Sequence, residues 1–287
     1  MVKKAIKAAI RLTRKWLEEP SAPDVHNYSQ DPHAYPWLNT LLDQIVTSEG
    51  GAQRPAYAWG VLHGAYLAKA LGVTQVSVIE FGVAGGNGLV ALEKIAMKVA
   101  ELCSVGIDVY GFDTGVGLPK PVDYRDLPNL YTPGDFPMDR NALQARLAKA
   151  HLILGPVEET LPAFLHTQHA PIAFISVDVD FYSSTVQALK VLEADHPALL
   201  PRIHCYFDDI LGFTFSDYTG ERLAIAEFNA SHTLRKISPI YGLKYFVSPQ
   251  HSQAAWLDMS YMAHIFDHHL YGHNDGLSHL QQLPLKK

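Results

Sequence analysis

The sequence predicts an α/β fold, a doubly wound and mostly parallel sheet covered by helices. Three observations carry that expectation. From residue 75 onward, short apolar segments of strand character alternate with segments of helical spacing, the pattern of parallel strands joined by crossover helices. The stretch Val76-Ser-Val-Ile-Glu80-Phe-Gly82-Val-Ala84-Gly85-Gly86-Asn87-Gly88 runs from β-branched residues through an acid into a glycine cluster, then into the helix-forming Leu89-Val-Ala-Leu-Glu-Lys. A strand, a tight turn and a helix N-terminus in that order aim backbone N–H groups at a ligand. Aspartates then close two later apolar segments, Asp178 after Ile175-Ser-Val and Asp208 after Ile203-His-Cys-Tyr-Phe.

Residues 2–19 read as an amphipathic helix, with Val2, Ala5, Ala9, Leu12 and Trp16 on one face and Lys3, Lys7, Arg11 and Arg14 on another. Its small alanines leave little apolar area to bury in lipid, so a docking or dimerisation helix is the reading, and peripheral membrane contact through residues 1–19 the alternative. Glu19-Pro-Ser-Ala-Pro-Asp breaks this helix; helical spacing resumes at Pro36 and again from Pro55 to Leu71. Residues 1–74 thus form a helical extension or cap. A catalytic domain over 75–259 follows, with strands at 75–81, 107–113, 150–154, 172–178 and 202–208, and helices at 87–102, 140–149, 157–166, 183–193 and 218–230. Residues 233–239 and 242–258 are expected to pair antiparallel. A helix from Ser260 to Leu270 and a polar tail, together 260–287, close the chain. The long stretch 114–139, with Pro119, Pro121, Pro128, Pro133 and Pro137, reads as a lid, since connections of that length in compact domains usually bind or cover ligands.

A formal charge of −6 over 287 residues gives no support to nucleic-acid binding. Cys103 and Cys205 lie inside apolar segments and read as buried thiols of a cytoplasmic protein. No apolar run is long enough to span a membrane, and the N-terminus lacks the apolar core and cleavage site of a signal peptide. The histidines are scattered. His264, His268 and His269 fall on the expected terminal helix, where they read as exposed rather than as a second metal site. His26, Tyr28, His33, Tyr35, Trp37 and His63 lie in the cap and could reach a substrate or simply pack.

Glu80 stands before the first glycine, where a carboxylate repels phosphate and suits a cationic ligand bearing an amino acid. The glycine offsets also fail the dinucleotide spacing G-x-G-x-x-G. Asp113 ends the second strand, where a carboxylate accepts hydrogen bonds from both ribose hydroxyls. Asp178, Asp208 and Asp209 lie at the C-terminal ends of strands that are neighbours in a doubly wound sheet. Converging there, they would repel one another unless protonated or bridged by a hard cation such as Mg²⁺. Asp180, just ahead of Tyr182-Ser-Ser-Thr, reads as a helix N-cap or as a supporting group.

Glu80-x-Gly82-x-x-x-Gly86-x-Gly88 resembles motif I of the class I S-adenosylmethionine-dependent methyltransferases. Asp113 in Gly-Phe-Asp-Thr…Gly-Leu-Pro, the run Asp178-x-Asp180-x-Tyr182-x-Ser184-Thr185, and Asp208-Asp209 are similar to the macrocin O-methyltransferase family over roughly residues 75–230. The resemblance implies a seven-stranded Rossmann-like sheet, with Glu80, Gly82, Ala84, Gly86, Asn87, Asp113 and Thr114 at the S-adenosylmethionine. It also implies Mg²⁺ (or Mn²⁺) held by Asp178, Asp208 and Asp209, with Asp178 as the base. The implied reaction moves a methyl group to a hydroxyl of a sugar or other polyhydroxylated small molecule, in natural-product or glycan biosynthesis, in a homo-oligomer. Tyr-Ser-Ser-Thr departs from the family's usual Tyr-Glu-Ser-Thr. Two alternatives stand beside this reading. An NAD-dependent oxidoreductase is disfavoured by Glu80 and the glycine spacing, and a non-enzymatic S-adenosylmethionine-binding or interaction module by the aspartate trio.

Overall fold

The computed structural model describes residues 36–47 and 54–273. The helix expected over 2–19 lies outside the described residues, as do His26, Tyr28, His33, Tyr35 and the side chain of Trp37. Helices α1 (Pro36–Thr47) and α2 (Pro55–Ala70) precede the sheet. Strand β1 (Gln75–Phe81) leads through the glycine turn into α3 (Asn87–Cys103), and β2 (Gly106–Asp113) opens into the 114–139 stretch. Then come α4 (Arg140–Gln144), β3 (His151–Leu154), α5 (Val157–Leu165), β4 (Ile172–Val177), α6 (Tyr182–Leu189) and β5 (Leu199–Phe207). The chain continues through α7 (Gly220–Ser231), β6 (Arg235–Pro239) and β7 (Ser260–Ile265).

The seven strands lie in the order β3-β2-β1-β4-β5-β7-β6. Pairing is parallel from β3 to β5, and β7 runs antiparallel between β5 and β6. This is a doubly wound, mostly parallel, seven-stranded sheet, as expected. Winding reverses between β1 and β4, and in such sheets ligands bind beyond the strand ends at that switch point. Val76–Phe81 and the whole of β4 are buried, which is why these strands read as apolar runs rather than alternating ones. Helix α2 is buried continuously from Ala56 to Ala65, so it packs over the sheet as part of the core. Its Tyr57 ring packs 5.6 Å from Phe174 of β4 and 5.6 Å from Tyr206 of β5.

The C-terminal expectations need correction. Ser260–Ile265 is the strand β7, not part of a helix, with Cys205 opposite Tyr261 and Ile237 opposite Ala263. The exposed outer edge of β5 demands a hydrogen-bonding partner, and that tertiary pairing overrides the helical spacing of the histidines. Residues 242–258 are not the partner of β6; they form a connection with short 3₁₀ turns at Leu243–Tyr245 and Ala255–Leu257. Helix α4 ends at Gln144 and α6 at Leu189, each earlier than its sequence spacing suggests. Cys103 and Cys205 are buried free thiols. Among the described residues no helix is long and apolar enough to cross a membrane.

Candidate active site

A cleft of about 740 Å³ opens beyond the C-terminal ends of β1, β2, β4 and β5. Glu80, Gly82, Ala84, Gly86, Asn87, Asp113, Thr114, Asp178, Asp208 and Asp209 all line it. With Asp135, Glu158 and Asp180 the lining holds eight carboxylates, against two cations, Arg54 and Lys120.

At the β1 end, Glu80 is only 1% exposed. Its Oε1 accepts the Tyr57 hydroxyl at 2.8 Å, and Tyr57 in turn accepts from Ser176 Oγ at 2.8 Å and from Arg54 Nη1 at 3.3 Å. Glu80 Oε2 is buried with no hydrogen-bond partner, a costly state for a polar atom. A Cβ on Gly88 would lie 1.9 Å from Glu80 Oε1, so glycine is what lets this carboxylate rest against the first turn of α3. Burial pushes the Glu80 pKa to about 8, while Tyr57 and Arg54 pull it down.

This raised value has a consequence for stability. The folded protein holds a proton on Glu80 that the unfolded chain releases near the ordinary carboxylate pKa. Stability from this group is therefore greatest at low pH and is lost as pH rises toward about 8. Glu80→Gln should gain stability relative to the native protein by on the order of 2 kcal/mol between pH 6 and pH 8.5. Urea unfolding at several pH values measures it, and parallel curves for the two proteins would refute it.

Asp113, expected to meet a ribose, has partners within the protein itself. Its Oδ2 accepts the backbone N–H groups of Val83 and Ala84, each at 2.8 Å, and its Oδ1 that of Gly115 at 2.6 Å. The carboxylate thus buckles the glycine turn of β1 to the end of β2. A carboxylate has about four acceptor sites, so capacity for a ligand hydroxyl remains. Thr114 hydrogen-bonds Gly117 O at 2.8 Å, closing the base of the lid. Asn87 Oδ1 accepts from Arg146 at 3.1 Å.

Asp178 follows β4, and its N–H is held by Phe81 O at 2.9 Å, which joins it to the end of β1. Burial and then the Asp208 and Asp209 charges push the Asp178 pKa to about 8; burial, Asp180 and Asp208 push that of Asp209 to about 7. Asp209 has both oxygens engaged, Oδ1 with the Tyr131 hydroxyl at 3.1 Å and Oδ2 with Asp180 N–H at 3.2 Å. Asp208 Oδ1 accepts the Tyr206 hydroxyl at 2.8 Å. Among the described residues, no three His, Cys, Asp or Glu side chains stand together as a ready metal cage. The aspartates supply the hard oxygens and the uncompensated charge that suit a divalent cation; Asp209 would have to release Tyr131 to join them. His264 lies in β7, stacked on Phe266 with ring centroids 5.4 Å apart.

Asp180 is not the N-cap of α6. It adopts a left-handed φ of 59°, uncommon outside glycine and typical of constrained sites. The cap position belongs to Phe181, whose side chain makes no capping bond. Asp126 from the lid does that work: its Oδ1 accepts Ser183 N–H at 2.8 Å and its Oδ2 the Ser183 hydroxyl at 2.9 Å. Arg125 lies 4.4 Å over the Tyr182 ring and donates to its hydroxyl at 3.1 Å. The 114–139 stretch is therefore pinned across the cleft mouth at Asp126, Arg125 and Tyr131. Glu221, in the first turn of α7 and fully buried, accepts the Asp209 N–H at 2.9 Å. Next to it, Arg222 donates to Ile210 O at 2.8 Å, so α7 grips the Asp208–Ile210 turn on both sides.

Sequence reasoning missed Arg54, Tyr57, Asp126, Tyr131 and Glu221 as members of this site. Only Glu221 carried a local signal, an acid in a helix's first turn; the others arrive from distant segments through the tertiary fold.

No family model matches the chain, and no curated protein sequence matches it. Among solved structures the chain is similar to CalS11, a calicheamicin methyltransferase, at 20% identity over 67% of this chain and 82% of that one, with a TM-score of 0.43. It is similar to the methyltransferase PaMTH1 of Podospora anserina at 14% identity over 80% of this chain and 88% of that one, with a TM-score of 0.39. An O-methyltransferase from Bacillus cereus follows at 12% identity over 69% of this chain and 82% of that one, with a TM-score of 0.32.

Proposed function

We propose that this protein is a Mg²⁺-dependent O-methyltransferase, moving the methyl group of S-adenosylmethionine to a hydroxyl of a sugar or other polyhydroxylated small molecule. One observation carries the reading: the glycine turn faces a strongly acidic cleft in which Glu80 keeps a buried, unpartnered oxygen. Pyrophosphate would meet repulsion there, whereas a sulfonium cofactor with an ammonium group relieves it. Asp113 keeps the turn shaped and has an acceptor site left for a ribose hydroxyl.

The reaction needs an acceptor oxygen in line with the sulfonium methyl and a place for the hydroxyl proton. As the C–S bond breaks and the O–C bond forms, the proton passes to the Asp178 carboxylate, leaving a neutral thioether. Without a metal, burial and the Asp208 and Asp209 charges raise Asp178 to about 8; a bound divalent cation would lower it and leave the carboxylate ionised, able to accept the proton. Asp178, Asp208 and Asp209 would hold Mg²⁺, which when bound lowers the acceptor hydroxyl's pKa and fixes its position. Alignment accounts for much of the rate in such a transfer. The lid, held by Asp126 and Tyr131, keeps water from the reacting atoms.

Calorimetric titration with S-adenosylhomocysteine and with NAD⁺, each with and without Mg²⁺, tests the reading. Binding of the former and none of the latter is expected. NAD⁺ binding without any response to S-adenosylhomocysteine would overturn the assignment, and binding with no turnover of any polyol acceptor would leave a non-enzymatic module.

A further inference from the structure

The lid is fastened to the rest of the molecule in two different ways. Its base is fixed by Asp126, fully buried, whose Oδ2 also accepts the Val122 N–H at 2.8 Å while both oxygens hold Ser183 of α6. Its tip is another matter. From Pro128 to Gly134 every residue except Tyr131 is exposed. Left-handed residues bound the tip, Leu127 with φ of 52° and Phe136 with φ of 60°, at the kind of position where a loop can hinge. Its backbone bonds stay within the lid, Leu130 N–H to Leu127 O at 2.9 Å and Gly134 N–H to Leu118 O at 2.8 Å. Among the described residues, the hydrogen bonds that join 127–136 to the cleft floor are those of the Tyr131 hydroxyl. It donates to Asp209 Oδ1 at 3.1 Å and also meets the Asp180 carboxyl. The ring rests edge-on against Phe181, with centroids 5.9 Å apart.

Asp209 has three partners, and they differ in how freely they can leave. Its own N–H is held by the buried Glu221 at 2.9 Å, and its Oδ2 accepts the backbone N–H of Asp180 at 3.2 Å. Both of those belong to the packed strand ends. The Tyr131 hydroxyl is the one partner carried by the lid. A small hard cation keeps several of its waters and needs the space around a carboxylate oxygen, space that this hydroxyl fills. We propose that Tyr131 is a latch released by the cation: its hydroxyl and a divalent metal ion compete for Asp209, so metal binding frees the lid tip over 127–136. The latch rests on the metal part of the function proposed above. Release opens the cleft to the acceptor, while Asp126 keeps the base of the lid in place. The freed hydroxyl faces the cleft, where a polyhydroxylated acceptor offers it a new partner. The tip then closes again over a loaded site, and the metal enters before the acceptor.

Backbone hydrogen exchange and calorimetry with Mg²⁺, without acceptor, test the latch. In the native protein Mg²⁺ should speed exchange over 127–136 by about 3- to 30-fold and leave the Ser183 N–H, held by Asp126, unchanged. Tyr131→Phe keeps the ring against Phe181 but has no hydroxyl. It should exchange fast in the tip with or without Mg²⁺ and should bind Mg²⁺ about 5- to 30-fold more tightly, the competing bond being gone. Potassium chloride at matched ionic strength is the control, and an equal effect from it would mean screening and overturn the latch. Equal Mg²⁺ affinity for the two proteins overturns it, and so does weaker binding by the variant, which would make Tyr131 a support of the metal site. If Tyr131→Phe does not fold, exchange in the native protein decides: Mg²⁺ binding that leaves the tip protected sinks the latch alone. A native protein that binds S-adenosylhomocysteine but no Mg²⁺ sinks the latch together with the metal assignment, while the methyl-donor reading stands.

Discussion

Asp208→Asn is expected to lower kcat by about 10²–10³-fold and to abolish its response to Mg²⁺, with S-adenosylhomocysteine affinity changed by less than about threefold. The substitution keeps size and the acceptor oxygen for Tyr206 but removes one of the negative charges crowding Asp178. A metal held by that charge should weaken, while the cofactor anchors proposed at Glu80 and Asp113 are untouched. Mg²⁺ titrations of activity and of heat, run side by side, separate the two effects. Native-like Mg²⁺ dependence in the variant would remove Asp208 from the metal site. Asp178→Asn should cost about 10²–10⁴-fold, the range for loss of a general base. The pH–rate profile should then lose its lower limb, because the proposed base has gone.

Gly82→Ala should destabilise the fold by about 3–5 kcal/mol, through left-handed strain and overpacking together. Gly82 has φ of 85°, and a Cβ there would sit 1.7 Å from the Asp178 carbonyl oxygen and 2.6 Å from its carbon. Those neighbours are backbone, held by the Asp178 N–H bond to Phe81 O, so neither can rotate away. The damage falls where the glycine turn and the proposed base touch, and surviving protein should lose both S-adenosylmethionine affinity and turnover if the proposed function holds. Gly85→Ala is the control: it lies in the same turn, and a Cβ there meets nothing within 4 Å. Urea midpoints of the three proteins make the comparison. Equal midpoints for Gly82→Ala and the native chain would show that the turn and Asp178 are not locked together.

Two elements show how far local sequence reaches. The glycine turn was legible because its requirements are local: a strand, an acid, residues without side chains, and a helix start within a dozen positions. Aspartates that end strands were legible for a similar reason, since parallel neighbours place their C-terminal ends side by side. The strand β7 was not legible. Ser260-Tyr-Met-Ala-His-Ile has no spacing that separates a strand from a helix turn, and its state follows from the open edge of β5. The cap of α6 was misread for a related reason. Asp180 precedes the helix in sequence, yet the donor at Ser183 is met by Asp126, fifty-seven residues away along the chain.

The doubly wound sheet, the glycine turn and the carboxylates at the strand ends are legible along the chain, because periodicity and residue chemistry act over short distances. Which of those carboxylates are buried, shared or already engaged depends on how distant segments pack. That packing ties Asp113 to the glycine turn, Asp209 to Tyr131 and Glu221, and Glu80 to Tyr57 and Arg54 of a helix that reads in sequence as a cap. A buried charge must find its partner in three dimensions, and nothing in the local pattern states how far along the chain that partner lies.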